Sequence, residues 1–343
     1  MAVTIKQIAK ETNLSAPTVS QILSGSKAHL YAPKTRQRVL EVARALGYRP
    51  SPIARALRGA RTYAIGYLVP DLSIQVQVEI MANVDRDLRK RGYRMLTGCC
   101  WRNAQIARNH FKDMLGYRVD GLLLASPSYY LTASDLSSLL PAGLPAVCIG
   151  HLEGHDGPSV LVDRRAGGEA VARHALELGH RSVAYVGSTL TNNRQVQERV
   201  SGFRDQLAEA GVELKPDRII EGIGELEEAI AVAPRLLAMR PRPTFIFGSN
   251  DVVAVGVMRG LIRQGLRVPQ DVSVVGFDGL DIGKYSEVRL TTITQHRQEQ
   301  AQHAVDLLLS WIEDGSPRQG SIVLEPQLTV GESTGPVPLN HSS

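Results

Sequence analysis

Four residues near the amino end, Pro17, Ser20, Gln21 and Ser24, recur at i, i+3, i+4 and i+7. On a helix they share one face. Hydroxyl and amide groups arrayed this way can exchange hydrogen bonds with base edges, and a helix fits the major groove of DNA. Val19, Ile22 and Leu23 turn the other way, inward. Catalytic groupings are missing from the sequence: there is no G-x-x-x-x-G-K-[ST], no H-E-x-x-H and no G-x-S-x-G. Gly222-Ile223-Gly224 lacks the third glycine of a dinucleotide loop. His151 and His155 have the spacing of a metal pair but stand in a glycine-rich loop, and Ser24-x-x-Lys27 is a chance match. A binding protein is expected, not an enzyme, with no metal and no cofactor.

Charge points to the partner. Residues 1–61 carry four Lys and seven Arg against Glu11 and Glu41, whereas the rest of the chain holds 28 basic and 32 acidic residues. The whole basic surplus therefore sits in a structured amino-terminal block, which suits nucleic acid. The 343 residues suit two or three domains, and a hydrophobic share of 43% supports a large core. Cys99, Cys100 and Cys148 form no C-x-x-C and are expected as reduced thiols. No apolar leader run and no stretch of eighteen apolar residues occurs, so a cytoplasmic, nucleoid-associated protein is expected.

The elements that must position these groups follow from period. Ile5, Ile8 and Ala9 mark a short helix capped by Thr4, with Asn13 in the turn after it. Ser15 caps the second helix, and Pro17 falls in its first turn, where a missing N–H does no harm. A third helix runs from about Pro33 to Leu46 and stops at Gly47. Ser51 and Pro52 start a helix that Gly59 ends; about two turns cannot hold alone, so it should fold only when something binds it. From Tyr63 strands alternate with helices: Ala64–Val69, Arg94–Thr97, Gly121–Leu124, Ala146–Ile149, Ser182–Val186, Thr244–Phe247 and Ser273–Gly276. The alternation implies two parallel sheets, with a break near Val162–Arg164. Ligands of such sheets bind beyond the carboxyl ends of strands, here near Pro70–Gln77, Cys100–Asn103, Ser188–Arg199, Ser249–Asp251 and Asp278.

The ordered blocks T-I-K-Q-I-A-K, S-A-P-T-V-S-Q-I-L-S-G, L-G-Y-R-P-S-P-I-A-R-A-L-R, V-D-G-L-L-L, L-G-H-R-S-V-A-Y-V-G, S-N-D-V-V-A-V-G and V-S-V-V-G-F-D resemble the lactose/galactose repressor family of bacterial regulators, from Thr4 to about Glu332. The resemblance implies an all-α helix-turn-helix headpiece (1–49), a hinge helix (50–61) and an α/β core like periplasmic binding proteins (62–332). It implies an N-subdomain of about 62–162 and 292–320, a C-subdomain of about 163–291 and 321–332, and a tail at 333–343. The run near Ile322–Val330 would return across the subdomain junction. A homodimer on double-stranded, pseudo-palindromic operator DNA follows. Gly335-Pro336-Val337-Pro338 stands where the tetramerising form has a leucine heptad, so a dimer is expected.

On that resemblance Ala16, Pro17 and Gln21 face bases, while Thr4, Ser15, Thr18, Ser20, Thr35 and Arg36 position the module, several of them on phosphates. Gln21 stands where many members have Arg; its amide suits adenine N6 and N7, whereas Arg prefers guanine. Ala54 and Leu57 match the hinge wedge that opens the minor groove, flanked by Arg55 and Arg58 near phosphates. Ser24 replaces the usual Asn, and the loop through Lys27 and His29 is about two residues longer; those side chains either reach phosphates or are plain surface.

For a small, sugar-like effector, the resemblance selects Arg199 as the planar fork for vicinal hydroxyls or a carboxylate and Asp278 as the facing carboxylate. Asn250 supplies an amide, and Asp251 either joins it or caps the following helix. Gln77, Asn193 and Gln195 fall on ligand positions. The aromatic N-P-F-F stretch of relatives is replaced by Ile74-Gln75-Val76-Gln77; Trp101 either stacks on the ligand instead or belongs to the core. The effector should lock one angle between the subdomains. An exported solute-binding protein or an enzyme on the same fold is the alternative, opposed by the basic head and the missing leader.

Overall fold

The computed structural model describes residues 3–24, 28–48, 61–188, 194–317 and 320–338. It divides into two compact units, residues 1–63 with 115–120, and residues 64–114 with 121–343.

The first unit is built on three helices, α1 (Ile5–Thr12), α2 (Ala16–Ser24) and α3 (Pro33–Ala45). Each contributes one apolar stripe to a small core of Ile8, Ala9, Val19, Ile22, Val39 and Ala43. The turns form for the reasons the sequence suggests. Thr4 N–H donates to Gln7 Oε1 at 2.8 Å at the start of α1. Asn13 closes that helix in the left-handed region with φ 56°. Ser15 Oγ accepts from Thr18 N–H at 3.2 Å, an N-cap for α2. Pro33 opens α3 at a position where no amide is needed. The expected hinge, with Ala54, Arg55, Leu57 and Arg58, lies outside the described residues, as do Lys27 and Asn193.

The second unit holds two six-stranded sheets. The first consists of β1 (Ala64–Val69), β2 (Arg94–Cys99), β3 (Gly121–Ala125), β4 (Ala146–Ile149), β5 (Ser159–Val162) and β11 (Ser321–Leu324), in spatial order β11-β5-β4-β3-β1-β2, all parallel. The second consists of β6 (Val183–Val186), β7 (Ile219–Ile220), β8 (Phe245–Gly248), β9 (Ser273–Asp278), β10 (Thr291–Thr294) and β12 (Gln327–Thr329), in order β12-β10-β9-β8-β6-β7. Only the β10–β12 pairing is antiparallel. Both sheets carry the doubly wound order in which the first strand lies between the second and third. Each therefore has a switch point, between β1 and β3 and between β6 and β8, where the connections leave to opposite faces.

Helices α4 (Gln75–Lys90) and α13 (Arg297–Asp314) pack together over the first sheet. Helices α7 (Arg164–Glu177) and α8 (Arg194–Glu209) pack together over the second. The contact of α7 with α8 depends on glycine. A Cβ on Gly168 would lie 1.9 Å from the Arg199 carbonyl oxygen, and one on Gly202 would lie 2.1 Å from that of Arg165. No other residue type allows the two backbones this approach.

Two expected boundaries are corrected. Residues 292–294 belong to β10 in the second sheet, not to the first half. Residues 321–324 form β11 beside β5 in the first sheet, and only β12 returns to the second. Register explains both: Thr291–Thr294 continues the parallel ladder from β9, and Ser321–Leu324 extends the one from β5. The chain therefore crosses between sheets after β5, after β10 and after β11. The expected tail is also not loose at its start. Ser333 is fully buried, donating from Oγ to Val274 O at 2.6 Å and accepting from Val274 N at 2.9 Å. His180 Nε2 lies 2.9 Å from Gly335 O; since a carbonyl can only accept, that nitrogen carries the proton. The three cysteines are free thiols.

Candidate functional site

In the first unit, the polar face of α2 is presented as expected. Thr4, Ser15 and Pro17 are exposed, and Ala16, Thr18, Ser20, Gln21, Thr35 and Arg36 are half-buried. One relationship was not legible beforehand. Tyr31, in the lengthened loop, donates its hydroxyl proton to Gln21 Oε1. The amide is thus held at one end, with its NH2 pointing away from that bond. His29 and Leu30 are exposed in the same loop.

In the second unit, side chains from both sheets meet at the two switch points. Ser126 follows β3 and is held at φ 42°, with its Oγ inward. Gln77, on α4 after β1, donates from Nε2 to Ser126 Oγ at 2.9 Å. Gln195, on α8 after β6, donates to the same oxygen at 3.3 Å. The expectation placed both glutamines in one site, and they converge on one hydroxyl. Gln77 Oε1 is buried and has no hydrogen-bond partner among the described residues, so a donor supplied by a ligand would satisfy it.

Arg199 is buried on α8. Its Nη1 donates to Ser249 O at 2.7 Å and its Nη2 lies 3.3 Å from Asp278 Oδ1. The guanidinium lies over the Phe277 ring at 4.0 Å, a cation–π contact that anchors it against the core of the second sheet. Asp278 ends β9 with φ 122°, a strained conformation for a side-chain-bearing residue. Gln295 also donates to its Oδ1. Burial raises the Asp278 carboxyl above its ordinary range, against the attraction of Arg199.

Asn250 is the N-cap of α11 (Asp251–Arg263), accepting from Val253 N–H at 2.9 Å. Its side-chain NH2 is the group left to offer a ligand. The cap reading of Asp251 is corrected. Asp251 does not cap the helix, since Asn250 does, and both of its oxygens are taken up inside the protein. It is wholly buried, with Oδ2 accepting from Leu280 N–H and Oδ1 from the Thr292 hydroxyl. It braces the ends of β9 and β10 instead. Trp101 is corrected as a core residue, since it is 59% exposed in a turn with φ 50°.

A cavity of about 680 Å³ meets this cluster at Gln195 and is lined also by Ser128, Tyr129, His151, Arg165 and Glu198. That volume suits a small ligand. The sequence reading missed Ser126, Tyr129, Arg164, Gln295 and Arg297. Ser126 was reachable through the strand-end rule at β3. Tyr129 follows the same strand end, Gln295 follows β10, and Arg164 and Arg297 open the helices after β5 and β10.

Residues 4–51 match the bacterial regulatory proteins, lacI family, and residues 172–334 match the periplasmic binding protein-like domain. The HTH-type transcriptional repressor PurR of Salmonella paratyphi B is 31% identical over 339 residues, spanning 98% of either chain. The ribose operon repressor of Haemophilus influenzae is 29% identical over 331 residues, 96% of this chain and 98% of that one. The lac repressor dimer bound to operator and the anti-inducer ONPF shares the fold with a TM-score of 0.86 at 23% identity, covering 98% of this chain and 100% of that one. With a basic helix-turn-helix ahead of a two-sheet core, and relatives matched from end to end, the chain belongs to the LacI family of bacterial transcriptional regulators.

Proposed function

We propose that this protein is a transcriptional repressor that binds a pseudo-palindromic operator as a homodimer and responds to a small polyhydroxy effector. Ala16, Pro17 and Gln21 read bases from α2, while Thr4, Ser15, Thr18, Ser20, Thr35 and Arg36 fix the module on the duplex. Ala54, Arg55, Leu57 and Arg58 form the hinge that folds on DNA, and Leu57 enters the minor groove. Gln77, Asn193, Gln195, Arg199, Asn250 and Asp278 contact the effector. The protein acts in the cytoplasm at the nucleoid, as a regulator and not as a catalyst.

The observation that carries this reading is the meeting of Gln77 and Gln195 on Ser126 Oγ, one from each sheet's switch point. A ligand bound there touches both halves of the core at once. It therefore favours one angle between them, provided that its affinity for the two angles differs. Names of relatives support the repressor reading, and the operator-bound lac repressor dimer supports the DNA and dimer assignments.

The test is selection of bound duplexes from a random pool by the full chain, followed by titration of the selected duplex with sugars and sugar derivatives. A recovered inverted repeat whose affinity changes with one of these compounds is expected. Recovery of no preferred sequence would contradict the proposal.

A further inference from the structure

Arg164 stands beside Arg199 as a second buried cation. It is the first residue of α7, directly after the capping Asp163, and only 8% of it is exposed. Its guanidinium makes no hydrogen bond and no ion pair among the described residues, and its Nε is sealed from water without a partner. The strongest charge acting on it is a like one, Arg199. Burial and that neighbour pull Arg164 down to about 10, so it remains a cation at neutral pH.

Among the described residues no carboxylate pairs directly with this second guanidinium; Glu198 and Asp278 attract it only from a distance. Asp278 is already shared by Arg199 and Gln295, and burial weakens its own ionisation. Glu198 is engaged by Arg194 at 2.8 Å. An unpaired buried cation beside another cation strongly destabilises a core unless a counter-charge arrives. Tyr129, His151 and Glu198 all line the cavity described above, and all three interact electrostatically with Arg164. Arg164 itself is not among the lining residues; it sits behind them, next in sequence to the lining Arg165 and within electrostatic reach of three others.

We propose that the effector carries an anionic group, a carboxylate or a phosphate ester on a polyhydroxy skeleton, seated on Arg164 and Arg199. The inference rests on the effector reading above and narrows it. An anion supplies the missing counter-charge, and the planar fork of each arginine can take two of its oxygens. A neutral sugar would leave Arg164 unpaired. Either anion serves this chemistry, and the experiment separates them.

Thermal unfolding and calorimetric titration of the full chain would compare neutral sugars (D-glucose, D-galactose, D-ribose) with carboxylates (D-gluconate, D-galacturonate) and phosphate esters (glucose 6-phosphate, ribose 5-phosphate) at constant ionic strength. At least one anion should bind and raise the melting temperature, and its neutral parent should bind at least tenfold more weakly. Arg164→Gln should weaken that anion by about 30-fold or more while melting, without ligand, at or above the wild-type temperature. Arg164→Lys should retain part of the affinity. Neutral sugars binding as well as their acids and esters, or binding by none of the anions, would overturn the proposal. So would Arg164→Gln that folds and keeps the anion affinity within threefold. A neutral sugar that alters operator binding would sink the anion assignment and leave the effector reading standing; compounds that bind the core without altering operator binding would sink the effector reading itself.

Discussion

Arg297 donates from Nε to Glu79 Oε2 at 2.7 Å, while its two other nitrogens hold the backbone carbonyls of Asp278 and Gly279. Glu79 and Arg297 lie on α4 and α13, over the first sheet, whereas the two carbonyls belong to the end of β9 in the second. One guanidinium therefore fastens the first half of the core to the strained backbone that presents Asp278. Any ligand that moves Asp278 must also move this fastening.

Replacing Arg297 by Lys should break it. A single ammonium cannot hold a carboxylate and two divergent carbonyls together. The core should lose about 2 kcal/mol in urea unfolding, because charge-assisted bonds in a half-buried setting are stronger than neutral ones. The effector's influence on operator affinity should fall by about fivefold, within the usual range of coupling between sites. An unchanged urea midpoint together with unchanged coupling would show that the fastening is idle.

Gly168→Ala tests the helix contact beneath the site. Its methyl group would meet the Arg199 carbonyl at 1.9 Å, a backbone atom that cannot rotate away. Helices α7 and α8 must separate, carrying Arg164 and Arg199 with them. A loss of about 3 kcal/mol, at the upper end for overpacking, is expected in denaturant titration, together with weakened ligand binding. A variant as stable as the parent would mean that the two helices yield easily.

Much of this organisation was legible in the chain because the strongest signals are local. β1 and β4 begin and end where apolar runs meet turn residues, and the N-caps at Thr4 and Ser15 follow from residue type. β10 was hidden because Thr-Thr-Ile-Thr lacks an apolar run, and two-residue β7 has no period to detect. Arg199 and Asp278 were reached through family blocks. Arg164 was not, since an arginine next to Arg165 at a helix start reads as a solvated charge; only packing shows one of the pair buried and the other half in water. Asp251 misled for the same reason, because its partners Leu280 and Thr292 lie far along the sequence.

The Tyr31–Gln21 bond makes a prediction about base choice. Tyr31→Phe should remove one restraint on the amide and blur the preference at its half-site position by about fivefold, the worth of one hydrogen bond. Affinity for unrelated duplexes should be unaffected, since phosphate contacts are untouched. With the parent protein, selection should favour A·T at that position. An invariant guanine there, or a preference indifferent to Tyr31→Phe, would contradict this account of Gln21.

Stability should depend on pH through Asp251. Burial pushes its carboxyl up to about 7, from an ordinary value of 3.8, and the nearby Asp278 acts in the same direction. The folded protein thus holds a proton that the unfolded chain releases between about pH 4 and 7. Asp251 therefore contributes a fall in stability as pH rises through this window, and the fall levels off above pH 7. Asp251→Asn keeps an acceptor for Leu280 N–H and should flatten that fall. Urea midpoints measured at pH 5, 6, 7 and 8 check this, and parallel profiles for parent and variant would refute it.

Fluorescence anisotropy on one selected operator duplex, recorded with and without a compound that raises the melting temperature of the core, tests the central claim most directly. Occupancy of the cavity that meets the Ser126–Arg199–Asp278 cluster at Gln195 should change operator affinity by at least tenfold, in one direction, and Arg199→Ala should abolish the change. A compound that binds this cavity yet leaves operator affinity the same would contradict the link between pocket and headpiece.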